Sequence, residues 1–127
     1  MLDAIRAFSG FAVDDIDVAR AFYRDVIGVP VDDSDNGLLR LTLPGGEAQV
    51  VVYPRPGHAP ATYTILNLAV ADVEVAVDAL AAAGVDTIRY DGYGQDDKGI
   101  MRGRGPEIAW FHDPAGNILS VIADAST

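Results

Sequence analysis

Two histidines, His58 and His112, are the side chains of this chain that titrate near neutral pH without help from their surroundings. His58 stands in the run Pro54-Arg55-Pro56-Gly57-His58-Ala59-Pro60, where it either fixes a turn or serves as a general base. His112 adjoins Asp113-Pro114, a turn that points it toward solvent. Ser9 and Ser120 lack a Gly-x-Ser-x-Gly elbow and an evident base, so a serine triad has no support. The absence of cysteine removes thiol nucleophiles, thiolate metal sites and disulfides. Asp91-Gly92-Tyr93-Gly94-Gln95 has the look of a calcium loop, but Arg102 stands where the bidentate Glu belongs. Gly103-Arg104-Gly105 opens no helix and is no dinucleotide fingerprint. No catalytic residue is assigned on these grounds.

Charge narrows the partners. One lysine, Lys98, and eight arginines face nineteen carboxylates, for a net charge of −10. Nucleic acid is therefore not expected, because phosphate neutralisation needs clustered cations. The acidity serves solubility or attracts a cationic ligand. No apolar run approaches the ~18 residues of a membrane span, and no secretory signal is visible. The expected setting is cytoplasmic, with no membrane partner.

The elements that must position these groups come as a repeat. Asp-Ile-Asp-Val-Ala at 15–19 returns as Asp-Val-Glu-Val-Ala at 72–76, an offset of 57. Leu-Pro-Gly-Gly at 43–46 returns as Asp-Pro-Ala-Gly at 113–116, an offset of 70. Residues 5–13 suit a strand, and Ile16, Ala19, Phe22, Tyr23 and Val26 fall on one helical face behind an aspartate cap. Gly28 and Pro30 stop that helix. A short strand follows, then a hairpin of 38–43 and 47–53 across Pro44-Gly45-Gly46. The second copy predicts a strand over 63–70, a helix capped by Asp72, a strand over 85–90, and a hairpin of 107–112 and 117–123. Residues 91–106 form a long polar loop of the kind that serves as a lid, with Tyr90 and Tyr93 at its entry. At 127 residues the chain is expected to be a single α+β domain of two βαβββ modules, about 4–53 and 62–123. A Pro-rich linker, 54–61, joins them.

Phe22-Tyr23 followed by Ile27-Gly28, and Trp110-Phe111-His112-Asp113-Pro114-Ala115-Gly116-Asn117, together with the duplication, resemble the vicinal oxygen chelate superfamily. That superfamily holds glyoxalase I, extradiol dioxygenases and bleomycin- and fosfomycin-resistance proteins. The stretch 53–61 and Lys98-Gly99-Ile100 further resemble a bacterial glyoxalase-like subgroup. The resemblance implies a curved, mixed eight-stranded sheet with helices outside, an open ligand cup inside, and a homodimer.

In metal-dependent members, ligands sit on the first and last strand of each copy. The resemblance carries those four positions to Phe8, Val50, Ile65 and Ser120. None supplies a nitrogen or carboxylate donor, so no metal at the usual site and no cofactor are expected. Strand alternation adds Gly10, Ala12, Ala48, Val52, Asn67 and Ala69 to the same face. If the hairpin sets 110 opposite 120, Trp110 joins them, and the repeat offset extends the face to Arg40 and Thr42. The opposite, helix-packing face takes Phe11, Val13, Val51, Leu66, Leu68, Phe111, Leu119 and Val121. Arg40 either holds a ligand anion or pairs with an aspartate. Trp110 either stacks on a flat ligand or is plain core.

The expected function is therefore binding of an aromatic or carboxylate-bearing small molecule in the cup. Its expected contacts are Phe8, Arg40, Val50, His58, Ile65, Asn67, Trp110 and Ser120. The alternative is a glyoxalase-like lyase or isomerase working without the usual metal.

Overall fold

A computed structural model describes residues 1–34 and 36–124. The chain divides into two compact units, Met1–Ala59 and Pro60–Thr127, and each combines a sheet with a helix, so the class is α+β.

In the first unit β1 (Ser9–Val13) leads into α1 (Ile16–Ala21). The Asp15 carboxylate accepts from the N–H groups of Asp17 and Val18 at 3.0 and 3.1 Å, satisfying donors that the first helical turn leaves open. The helix then widens into a π-helical stretch, Phe22–Ile27, which a regular 3.6-residue period does not foresee. Phe22 and Tyr23 lie side by side there, both buried, with ring centroids 5.2 Å apart. Tyr23 meets Phe11 of β1 at 5.6 Å. Gly28 ends the stretch at φ 83°, a left-handed conformation that costs glycine little.

The strands β2 (Val31–Asp33), β3 (Leu39–Thr42) and β4 (Gln49–Pro54) complete a four-stranded sheet in the order β1-β4-β3-β2. β1 runs parallel to β4, and the other pairs are antiparallel. Phe11, Val13, Leu39, Leu41, Val50 and Val52 are all buried, on the face that meets the helix through Tyr23.

This register corrects one expectation. Val50 and Val52 share the helix-packed face with Phe11, which pairs with Val52. Val51 instead stands beside Gly10 and Arg40 on the open face. The cause is loop length. Six residues, 43–48, separate the paired Thr42 and Gln49, whereas five, 113–117, separate His112 and Ile118 in the second unit. One extra residue reverses the facing of every position after it.

In the second unit β5 (Thr64–Val70) leads into α2 (Val73–Ala82), capped by the Asp72 carboxylate, which accepts from Val75 N–H at 3.1 Å. Val73, Val77 and Leu80 are the buried stripe of the helix, with Ala76 half-buried. β6 (Ile108–His112) and β7 (Ile118–Ala123) complete a three-stranded sheet in the order β5-β7-β6, with β5 parallel to β7. Ala109, Phe111, Leu119 and Val121 are buried on one face.

The strand expected over 85–90 is reduced to a single bridge from Thr87 to Phe111, beside a 2.8 Å bond from Ile88 N–H to Trp110 carbonyl. The reason is Gln95. Its side-chain amide accepts from Tyr90 N–H at 2.7 Å and donates to the carbonyls of Ile88 and Gly99 at 2.8 and 2.7 Å. One side chain thus satisfies backbone groups that a neighbouring strand would otherwise take. Among the described residues there are seven strands, and no helix is long and apolar enough to cross a membrane.

Candidate functional site

Three adjacent strands of the second unit bring three expected site residues into one row. Asn67 of β5 lies opposite Ser120 of β7, and Ser120 lies opposite Trp110 of β6. Ser120 is fully buried and donates its hydroxyl to Asn67 Oδ1 at 2.5 Å. That bond settles the chemistry of the exposed Asn67. Its oxygen accepts that bond with one of its two lone pairs, which leaves the NH2 able to donate two hydrogen bonds. The indole N–H of Trp110 has no partner among the described residues. The row therefore offers donors to a ligand acceptor such as a carbonyl or carboxylate.

Trp110 carries an aromatic cluster. Tyr90 and Tyr93 meet it edge-on at 5.3 and 5.5 Å, and their own centroids lie 5.0 Å apart. Such tilted contacts follow the ring quadrupoles. Burial, and then the neighbouring Tyr93, push the Tyr90 phenol above its ordinary value, so it stays neutral through the physiological range.

The 91–106 segment that brings Tyr93 to Trp110 is pinned. Its Asp96 carboxylate accepts from the N–H groups of Lys98 and Ile100 at 2.9 Å each and from Arg102 Nε at 3.1 Å. Burial alone would raise this carboxyl, but those hydrogen bonds outweigh it and hold Asp96 below its ordinary range. Lys98 reaches Asp78 of α2 at 2.9 Å, and Arg102 reaches Glu107 and, at 3.6 Å, Glu74 of α2. Hydrogen bonding to Asp78 raises the Lys98 ammonium. Asp96, Lys98 and Arg102 thus fasten the segment to itself and to the helix.

Ile65 occupies an irregularity between the Thr64–Ile118 and Leu66–Leu119 pairs, half-buried and without a cross-strand partner. His112 is exposed at the end of β6. His58, in the first unit, is half-buried, and both of its ring nitrogens are shielded from solvent with no hydrogen-bond partner.

On the open face of the first unit, Phe8 and Arg40 come together around a hollow of about 150 Å³ that Leu38, Gln49 and Val51 also line. Phe8 is 56% exposed. Val50, expected there, lies on the other face because the first hairpin is one residue longer than the second. Gln49 and Val51 escaped sequence reading because a register read from a repeat assumes equal hairpins. Tyr90 and Tyr93 were visible as loop aromatics, but their convergence on Trp110 needed the fold of the segment.

The sequence matches the model of the Glyoxalase/Bleomycin resistance protein/Dioxygenase superfamily over residues 5–121. No curated protein matches it. Among solved structures, a member of that superfamily from Sphaerobacter thermophilus is similar at 20% identity and TM-score 0.72, covering 94% of this chain and 98% of that one. TnmS3, an antibiotic binding protein from Streptomyces sp. CB03234, is 23% identical with TM-score 0.68, covering 96% and 98%. The genomically encoded fosfomycin resistance protein FosX of Listeria monocytogenes is 12% identical with TM-score 0.73, covering 98% and 96%. At these identities the likeness speaks for the fold alone.

Proposed function

The chain belongs to the Glyoxalase/Bleomycin resistance protein/Dioxygenase superfamily, and on that premise we propose that it binds an aromatic or carboxylate-bearing small molecule without the metal used by many members. The observation that carries this reading is the Trp110–Ser120–Asn67 row, an aromatic surface beside N–H donors. Binding sites of this kind combine apolar walls with a few oriented polar groups. The likeness to an antibiotic binding protein supports sequestration as the use of that binding.

The usual metal does not fit the residues present. Of the four positions carried over by resemblance, Phe8, Val50 and Ile65 are hydrocarbon, as is Val51, which stands on the open face in place of Val50, and the Ser120 hydroxyl is neutral and bonded to Asn67. Divalent ions of this kind require imidazole or carboxylate donors. Among the described residues no three His, Cys, Asp or Glu side chains gather to form another such set.

A ligand cup on a curved mixed sheet, a homodimer and a cytoplasmic setting complete the proposal. A second reading, a metal-independent lyase or isomerase, draws on the shielded and unpartnered nitrogens of His58, which could take a proton from a substrate.

A thermal-shift screen of aromatic metabolites and antibiotics in the presence of a chelator tests the binding reading. A ligand at 100 times its dissociation constant stabilises by about 2.7 kcal/mol. Trp110 is the sole tryptophan, so a true hit also changes its emission and loses affinity in Trp110→Ala. Hits that bind equally well to that variant would sink the proposal. Turnover of a hit that disappears in His58→Ala with binding intact would favour the enzyme.

A further inference from the structure

We propose that the hollow on the open face of the first unit is an anion site, taking the carboxylate of a small aromatic acid between the guanidinium groups of Arg6 and Arg40. Both arginines line the same space of about 150 Å³, with Phe8, Leu38, Gln49 and Val51. The guanidinium of Arg6 lies over the Phe8 ring, 5.1 Å from its centroid.

Lack of a carboxylate partner and a shared hollow together set these two arginines apart. Carboxylates outnumber basic groups nineteen to nine in this chain, and Arg20, Arg24, Lys98 and Arg102 all hold carboxylates within ion-pair distance. Among the described residues Arg6, Arg40, Arg55, Arg89 and Arg104 hold none, and of these five Arg6 and Arg40 line one hollow together. Even Asp32, the cross-strand neighbour of Arg40, forms no ion pair with it. Two like charges facing one hollow repel, and an anion between them turns that repulsion into two attractions. Guanidinium groups suit a carboxylate in particular, since each presents a planar fork of N–H donors to two oxygens.

The walls choose the rest of the ligand. Phe8, Leu38 and Val51 are apolar, and Gln49 adds one neutral amide, so the body of the occupant is a hydrocarbon ring. Size limits it further. Drug-sized ligands fill roughly 300–1,000 Å³, so this hollow takes a single ring or one end of a larger molecule. The remainder of a larger molecule would extend into a wider hollow of about 690 Å³ that Arg6, Phe8, Arg40 and Gln49 also line, with Glu47 on its wall.

The inference deepens the proposed binding function and rests on it, but a different experiment separates the two. Isotope-labelled protein would be titrated with benzoate, with its neutral isostere benzamide and with inorganic phosphate, following the backbone amides of Phe8, Arg40 and Val51. Benzoate is expected to move these resonances, with affinity falling about 5-fold or more in Arg40→Gln and in Arg6→Gln. Benzamide and phosphate are expected to bind at least about 5-fold more weakly, one lacking the charge and the other the ring. An unchanged melting temperature in the variants would show that they fold. The inference is overturned if benzamide or phosphate equals benzoate, if Arg40→Gln leaves benzoate affinity unchanged, or if benzoate leaves these amides unmoved. An aromatic ligand that perturbs Trp110 and ignores Arg40→Gln would overturn it while leaving the proposed function standing.

Discussion

Ser120 and Asn67 are joined by a 2.5 Å hydrogen bond across two parallel strands, and the two partners stand in opposite environments. Ser120 is fully buried, whereas Asn67 is open to solvent. Water can replace the hydroxyl for Asn67, but nothing replaces the amide oxygen for Ser120.

That asymmetry gives unequal mutant costs. Asn67→Leu strands a buried hydroxyl and is expected to lose about 1–3 kcal/mol. Ser120→Ala removes only a net hydrogen bond, about 0.5–1.5 kcal/mol. Urea unfolding of the two variants checks the order, and a larger loss in Ser120→Ala contradicts it.

The register of β4 is tested by a matched pair of isosteric changes. Val50→Thr buries a hydroxyl among Phe11, Leu41 and their neighbours and should cost about 1–3 kcal/mol. Val51→Thr, on the open face, should stay within about 0.5 kcal/mol. The sequence repeat alone predicts the reverse, so thermal denaturation of both proteins decides between the two registers.

Gln95 replaces a strand for three backbone groups, and its removal should unfasten the segment that holds Tyr93 against Trp110. Gln95→Ala is expected to lose three net hydrogen bonds, roughly 1.5–4.5 kcal/mol in total. Gln95→Glu puts carboxylate oxygens against the carbonyls of Ile88 and Gly99 and should be worse. Hydrogen exchange at the Tyr90 amide, protected by Gln95 Oε1 at 2.7 Å, is the direct readout. Unchanged protection in Gln95→Ala would contradict the assignment.

Asp96 sets an acid limit on the same segment. Its carboxyl sits below the ordinary value of 3.8 in the folded chain, so its stabilising effect is complete above the unfolded pKa and is lost as pH falls through the lower, folded one. Emission of Trp110 should therefore stay constant from neutral pH down to about 5 and change only below about 4. Asp96→Asn should weaken the hold on Arg102 at neutral pH and flatten that acid transition. A transition in the variant equal to the native one would assign it to another carboxylate.

Much of the fold was legible in the chain. Asp15 and Asp72 cap helices because an aspartate before an apolar helical stripe has few other uses, and Gly28 and Gly84 end them at left-handed φ values of 83° and 85°. The two glycine-containing turns forecast both hairpins. Family membership could be read from the repeat and from the Trp110–Asn117 stretch, over residues 5–121.

Alternation along single strands is a property of the backbone, and it suffices to put Asn67, Trp110 and Ser120 on one face. What tertiary structure decided is whatever depends on distance between residues far apart in sequence. One more residue in the first hairpin turned Val50 inward and Val51 outward, and the side chain of Gln95 took the place of an eighth strand. Pairing charges belongs to the same class. Composition sets how many carboxylates exist, but only folding places Lys98 on Asp78 and brings Arg6 and Arg40 to one hollow with no ion pair among the described residues, because Coulomb attraction acts through space and not along the chain.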